Sequence, residues 1–182
     1  MDVEDHPAYE RTDVAQEMIV TRHLTLTSPS SDSVPKVVGW LNDPETMRYS
    51  ENRHRKHSVD LQQIHILMMT GSPHRYMEIR YGDALIGTIS ARVDEHNSVA
   101  DVGILIGEKK VWGKGYGTEA WQAFCDYLLG SGVRKIEAGA MAINFGMINI
   151  FRKTGMHEEG KRSDHFLVGN ELVDMVMWAR FS

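Results

Sequence analysis

The sequence predicts a mixed α/β fold with a sheet of six or seven strands and about four helices. Segments 75–81 and 85–93, and later 161–168 and 171–180, are strand-like runs joined by turn dipeptides, which is typical of antiparallel hairpins. Residues 111–118, Val-Trp-Gly-Lys-Gly-Tyr-Gly-Thr, lead into apolar residues at helical spacing. Hairpins combined with a loop that opens a helix indicate that strands and helices share one core.

The predicted elements follow one another in chain order. Residues 1–16 lack periodicity, so we expect a loose arm ahead of a single domain over 17–182. Strands are predicted over 19–27, 75–81, 85–93, 98–106, 135–140, 161–168 and 171–180. Helices are predicted over 34–41, 58–69, the stretch after the glycines, and 144–154. In the second helix, Leu61, Ile64, His65 and Met68 share one face.

The glycine run is the most informative feature for function. Gly113, Gly115 and Gly117 let the backbone approach a ligand without intervening side chains. A loop of this kind at a helix start leaves outward N–H groups that suit a diphosphate. The spacing differs from the G-x-G-x-x-G of dinucleotide-binding folds, and the Gly-Lys-Ser/Thr of nucleoside-triphosphate loops is absent. A flexible turn before a helix is the alternative interpretation.

Composition argues against several classes of function. With 42% hydrophobic and 25% charged residues and a net charge of −5, the chain has the profile of a soluble globule and lacks a nucleic-acid-binding protein's basic excess. No apolar stretch is long enough to span a membrane, and the acidic start does not resemble a secretory signal. The single cysteine, Cys125, cannot form an internal disulfide. We therefore expect a cytoplasmic protein that binds neither nucleic acid nor membranes.

Two sequence blocks resemble the GNAT superfamily of N-acetyltransferases. A strand-like run over 99–107 leads into Trp112-Gly113-Lys114-Gly115-Tyr116-Gly117, which resembles the motif Arg/Gln-x-x-Gly-x-Gly/Ala with Trp in first place. Farther along, Asn144, Lys153 and Gly155 match the second motif, in which Met147 replaces the usual Ser. The chain is most similar to the branch of ribosomal-protein N-terminal acetyltransferases and small-molecule acetylases, including those acting on sugar-nucleotide amines.

The resemblance implies a twisted, largely antiparallel sheet in which strands 99–106 and 135–140 splay apart. It also implies acetyl-CoA as co-substrate, with pantetheine in the gap and the diphosphate on the glycine loop. One N–H group of the first splayed strand would stabilise the oxyanion. The residues expected to bind acetyl-CoA are Ile104, Leu105, Ile106, Trp112, Gly113, Lys114, Gly115, Tyr116, Gly117, Thr118, Asn144, Asn149 and Lys153.

The implied reaction is direct attack of a neutral primary amine on the thioester within a ternary complex. Asp101, early on the splayed strand, is the first candidate for general base, acting through a water; a surface or paired carboxylate is the alternative. Asn144 is a second candidate catalytic residue, which would also cap its helix. Many family members carry a general-acid Tyr where this sequence has Phe151, which has no proton to donate.

The acceptor is expected to contact residues 47–57, which mix charged, polar and aromatic groups. Tyr49, Glu51, Arg53 and His54 are the candidate acceptor-binding residues, and arginine there would suit a phosphate or carboxylate. A small polar amine such as an amino sugar is the first candidate acceptor, and a protein N-terminus is the alternative. A catalytically silent acetyl-CoA sensor and an unrelated nucleotide-binding domain are the alternative functions.

The remaining expectations concern metals and partners. The histidines show no metal-ligand spacing, so no metal is expected. The expected partner is a small-molecule amine. Homodimers are common in the family the chain resembles, so a homodimer is a candidate assembly, although nothing in the sequence indicates one.

Overall fold

Eight strands form one sheet in the computed structural model, which describes residues 17–71 and 73–182. The predicted arm over 1–16 lies outside the described residues. The strands are β1 (Met18–Val20), β2 (Thr25–Thr27), β3 (Arg75–Tyr81), β4 (Ala84–Asp94), β5 (Val99–Ile106), β6 (Lys135–Met141), β7 (His157–Val168) and β8 (Glu171–Phe181). The helices are α1 (Val34–Leu41), α2 (Val59–Met69), α3 (Tyr116–Gly130) and α4 (Phe145–Lys153).

The structure confirms the mixed α/β fold and the largely antiparallel sheet. The strand order is β1-β2-β3-β4-β5-β6-β8-β7, and β5–β6 is the parallel pair among the described strands. The strand number is eight instead of six or seven because the predicted strand over 19–27 is divided. The backbone N–H of Thr21 donates to the carbonyl of Leu24 at 2.9 Å, which turns the chain so that β1 pairs with β2.

The larger core lies between the sheet and helices α3 and α4. Trp121 and Phe124 of α3 and Phe151 of α4 have no exposed surface. The Trp121 and Phe151 rings meet edge to face, with centroids 5.4 Å apart. Each such side chain stabilises the fold by about 1.5–3 kcal/mol through burial alone, so this packing holds α3, and the loop that precedes it, firmly against the sheet.

Helix α2 turns its apolar face outward. Leu61, Ile64 and Met68 share one face as predicted, but 60%, 55% and 69% of their surface is exposed. The helix instead buries Gln62, whose side-chain amide donates to the Tyr76 hydroxyl at 3.3 Å. A buried amide with a partner costs little, so the hydrogen bond can orient the helix against its hydrophobic pattern.

The parallel pairing of β5 with β6 ends after three residues, at Asp101 opposite Glu137. Strand β5 nevertheless continues to Ile106, still paired with β4, and β6 continues to Met141, still paired with β8. The two central strands therefore diverge while each keeps its outer neighbour. This is the splay that the family resemblance implied.

Substitution of Gly87 tests the close approach of β4 to β5. A Cβ at Gly87 would lie 2.3 Å from the carbonyl oxygen of Leu105, a backbone atom that cannot rotate away. We expect Gly87→Ala to lower the free energy of unfolding in urea by about 1–3 kcal/mol. Gly160→Ala is the control, because a Cβ at that strand position meets nothing within 4 Å; it should change stability by less than about 0.5 kcal/mol. Equal effects would contradict the packing argument.

Candidate active site

The gap between β5 and β6 presents unpaired strand backbone to a ligand. Ile104, Leu105 and Ile106 are half-buried and lie beyond the last parallel pair, Asp101 and Glu137. Backbone N–H and C=O groups at such an edge need partners, and an extended chain that carries amides supplies them. Pantetheine is a chain of this kind, so this stretch stands where it would pair. Not every group is free, since the Leu105 carbonyl lies against Gly87 of β4 and the Ile106 carbonyl accepts the Trp112 indole N–H.

The glycines of the loop have two different roles. Gly113 and Gly115 have φ values of 75° and 88°, a left-handed backbone that other residues adopt only with strain. Gly115 is the N-cap of α3 and supplies no side-chain cap, which leaves the first N–H groups of the helix available to an anion. Gly117 lies inside α3, where a Cβ would meet Ile150 Cδ1 at 3.2 Å, so it brings α3 and α4 together.

The side chains around these glycines differ in what they do. The Trp112 indole N–H donates to the carbonyl of Ile106 at 2.8 Å, which ties the loop to the end of β5. The Tyr116 ring stacks on Tyr81 with centroids 5.1 Å apart. Lys114 is exposed and Thr118 half-buried. Two of the aromatic residues predicted to bind the cofactor therefore shape the loop, and Lys114 offers the exposed charge.

Helix α4 contributes polar groups at its start and along its exposed side. The Asn144 side-chain oxygen accepts the Met147 backbone N–H at 3.2 Å, so Asn144 caps the helix as anticipated. Asn149 and Lys153 are exposed. The described contacts leave the Asn144 side-chain amide N–H groups available to a ligand.

Phe151 belongs to the core. Its ring is fully buried between Trp121 and Trp178, with centroid distances of 5.4 and 5.7 Å. The position at which the family resemblance implied a general acid is therefore filled by a core side chain that has no proton to donate.

Asp101 stands where the two strands separate, between opposite charges. Its register partner on β4 is Arg92 and its partner on β6 is Glu137. The residue is exposed, yet the protein packed around it removes part of its hydration, and this raises the pKa of the Asp101 carboxyl. The Glu137 and Glu51 carboxylates raise that pKa further, while Arg92 opposes them. A carboxylate with a raised pKa is a stronger proton acceptor, which suits a general base.

The four predicted acceptor-binding residues do not share one pocket. Arg53 and His54 line a cavity of about 450 Å³ between the end of α1 and the segment that follows it. Tyr49 packs instead beside a second apolar cluster that includes Met141. Glu51 is placed so that its charge acts on Asp101.

Arg53 is already engaged by backbone carbonyls. One guanidinium nitrogen donates to Ser50 O at 3.1 Å and another to Leu167 O at 2.8 Å. The bond to Leu167 fixes the 50–57 segment to the end of β7. Two of the five N–H groups of Arg53 are therefore engaged within the chain, and the others are left to bind an acceptor.

The residues at and just before the predicted acceptor segment are linked to those at and just before the glycine loop. The Lys109 ammonium lies 2.6 Å from the Asp43 carboxylate and 2.5 Å from that of Glu45. The Arg48 guanidinium lies over the Trp112 ring, 5.8 Å from its centroid. Sequence reasoning did not single out these links, because they join residues far apart in the chain.

Four further residues beside the gap were also missed. Arg92 and Glu137 lie beside Asp101 only through sheet register, while Gly103 follows Asp101 on β5 and Gly139 follows Glu137 on β6. Strand alternation put each on one face or the other, but it could not show which strands would be neighbours.

Other chemistries find little support in residues 17–71 and 73–182. Within those ranges no three His, Cys, Asp or Glu residues are grouped so that they could hold a metal ion. No helix there is long and apolar enough to cross a membrane. Burial raises the pKa of the Cys125 thiol to about 12, so it is not a nucleophile at neutral pH.

Comparison with known proteins gives matches along most of the chain. A family model described as an acetyltransferase (GNAT) domain matches residues 23–157 of the 182. The uncharacterized N-acetyltransferase p20 of Bacillus licheniformis is 26% identical over 175 residues, which cover 90% of this chain and 95% of p20.

Solved structures share the fold. A ribosomal L7/L12 alpha-N-protein acetyltransferase, RimL, in complex with coenzyme A has a TM-score of 0.80 at 17% identity, covering 91% of this chain and 98% of RimL. A spermidine N-acetyltransferase from Vibrio cholerae in complex with CoA and spermine has a TM-score of 0.79 at 18% identity, covering 88% and 96%. At these identities the likeness establishes architecture, not substrate.

The link from Lys109 to Asp43 can be tested by titration. Hydrogen bonds from Lys109, then Thr46, lower the pKa of Asp43 from 3.8 to about 2. Because the folded-state pKa is depressed, the stabilisation is complete above pH 3.8 and is lost as pH falls through about 2. Carboxyl-carbon NMR should show that midpoint, and Lys109→Met should move it back towards 3.8.

Asp94 is the internal control, because hydrogen bonds from Asn97, not from Lys109, lower its pKa. Its midpoint should be the same in the native protein and in Lys109→Met. An unchanged Asp43 midpoint in the variant would contradict the link.

Proposed function

The chain belongs to the GNAT family of acetyltransferases, and on that premise we propose that it moves an acetyl group from acetyl-CoA to a small primary amine by direct attack in a ternary complex. The observation that carries the proposal is the splay. Strand β5 leaves β6 immediately after Asp101, so unpaired backbone follows a carboxylate of raised pKa along one strand. The glycine loop and the start of α3 come next in the chain.

The cofactor would be held by backbone more than by side chains. Ile104, Leu105 and Ile106 would pair with the pantetheine amides, and the first N–H groups of α3 with the diphosphate. Lys114 is exposed beside that helix start and would add positive charge. When bound, acetyl-CoA supplies the activated acetyl thioester; this chain supplies position, polarisation and proton transfer.

Asp101 would receive the proton of the attacking amine through a water. A backbone N–H on the unpaired edge of β5 would donate to the carbonyl oxygen as negative charge develops there. Glu137 and Glu51 carry the same sign as Asp101, so together they favour arrival of the acceptor as an ammonium ion. No metal takes part in this proposal.

A small polar amine is the proposed acceptor, with an amino sugar as first candidate and a protein N-terminus as alternative. RimL is named for a protein acceptor and the Vibrio enzyme for spermidine, so the fold accommodates both classes. A catalytically silent acetyl-CoA-binding domain is the other alternative, because Phe151 has no proton to donate to the leaving thiolate. We also propose a cytoplasmic location, which the free, buried Cys125 suits.

Asp101→Asn tests the base. We expect turnover to fall by about 10²–10⁴, because the amide cannot accept the proton, while acetyl-CoA affinity by titration calorimetry stays within about threefold. Turnover is measured as thiol released from acetyl-CoA with glucosamine, spermidine and a peptide N-terminus.

Asp94→Asn is the matched control and should leave turnover and affinity unchanged, since Asp94 bonds to Asn97 in a turn. Failure of the native protein to bind acetyl-CoA would overturn the proposed function. Full activity in Asp101→Asn would remove Asp101 from the mechanism.

Glu137→Gln tests the charge beside Asp101. Activity should fall as pH drops through the pKa of Asp101, which lies above its ordinary value. Removing the Glu137 charge lowers that pKa, so the acid limb of the kcat/KM profile should move to lower pH. Glu158→Gln, on exposed β7, should leave the limb in place. A shift to higher pH in Glu137→Gln would refute this account.

A further inference from the structure

On the open face of the splay, both diverging strands carry a glycine. Successive strand residues alternate between faces, so Gly103 shares the face of Asp101 on β5, and Gly139 shares the face of Glu137 on β6. These are the first positions on that face beyond the last parallel pair. Both are exposed. The carboxylates are therefore followed by glycine on both strands, with open space beside Gly103 and the Met175 side chain beside Gly139.

The other face of β5 is closed. Ala100 and Val102 are buried in the larger core, and Ile104 packs against it. A second reactant can therefore approach β5 at the splay only from the face that carries Asp101 and Gly103.

The fold itself gives no reason for glycine at 103. The residue does not have a positive φ, and a Cβ added there would meet nothing within 4 Å. Gly87 and Gly107 differ, since an added Cβ would lie 2.3 Å from Leu105 O and 1.9 Å from the Trp40 ring. Glycine inside a strand is less favourable than alanine, and it often marks close approach of a ligand.

Gly139 faces flexible thioethers. A Cβ there would lie 2.1 Å from Met175 Cε and 3.3 Å from Met177 Sδ. Both methionines can change rotamer to suit what enters beside them. The space beside the two glycines is thus bounded by the carboxylates on one side and by the flexible methionine side chains on another.

We propose that Gly103 and Gly139 form a window through which the acceptor amine reaches the acetyl thioester, and that the missing side chain at 103 sets the size of amine that passes. The inference rests on the proposed function. Asp101 precedes Gly103 on the same face, so an amine in the window has the proton acceptor beside it. Residue 103 is then a specificity-determining position, not a proton carrier.

A cysteine introduced at position 103 reports how close the window lies to the cofactor thiol. The native thiol, Cys125, is buried, so Gly103→Cys adds the one exposed cysteine among the described residues. With CoA disulfide, the introduced thiolate would attack one sulfur, form a mixed disulfide and release CoA thiol. Intact mass spectrometry should show capture at least tenfold faster than in Gly160→Cys, which lies on β7, and excess acetyl-CoA should block it. Equal rates in the two variants would overturn the window.

Graded side chains at 103 test the size limit. Gly103→Ala should lower turnover moderately and Gly103→Val at least 100-fold, with acetyl-CoA affinity within threefold and unchanged unfolding in urea. Gly160→Val is the control and should keep native turnover. Native turnover in Gly103→Val would overturn the proposal. So would a loss of turnover that is explained by lost acetyl-CoA binding in that variant.

The two proposals fail in different ways. If the native protein does not bind acetyl-CoA, the proposed function is overturned and the window with it. If the native protein binds and turns over acetyl-CoA but the Gly103→Cys variant is not captured by CoA disulfide, only the window is overturned.

Discussion

The parallel pairing of β5 with β6 ends at Asp101 and Glu137, and the rest of the candidate site depends on this ending. It frees backbone groups at the centre of the sheet, where strands are normally satisfied on both sides. It also leaves a carboxylate from each strand at the point of separation. Because β4 and β8 hold the diverging strands to their ends, the gap is preformed and a ligand need not pay to open it.

Two physical requirements of the fold explain several of the glycines around this gap. At Gly87 and Gly107 a side chain would collide with the fold, and at Gly113 and Gly115 the backbone is left-handed. At Gly103 neither reason applies. In the sequence, nothing distinguishes these glycines from one another. Only the atoms around an added Cβ separate a glycine that packing requires from one that the fold does not explain.

The elements that depend mainly on local sequence were predicted correctly. The hairpin at Gly82-Asp83, the strand before the loop and the helix after it follow from turn residues and periodicity, and the structure has them. Helix α2 is different. Its apolar face was recognised, but the Gln62 to Tyr76 hydrogen bond orients the helix, and that contact joins two elements.

The same limit applies to the site. Asp101 and the glycine loop lie in continuous segments that could be read from the chain. Their neighbours could not: Glu137 and Arg92 reach Asp101 through strand order and register. Two donors of Arg53 are bonded to carbonyls, one of them on the distant strand β7, and no spacing rule in the sequence reports such a contact.

The outer edges of the sheet also differ from the inner edge, which is the part of β5 beyond Asp101 that no longer pairs with β6. Strand β1 has three residues, and β7 is interrupted by register shifts and carries exposed charges along its length. Short, irregular or charged edges resist the addition of a foreign strand. The inner edge beside β6 is regular and apolar by comparison. The protein therefore discourages self-templated growth at its margins while keeping one unpaired edge inside the sheet, between strands that are each held by an outer neighbour.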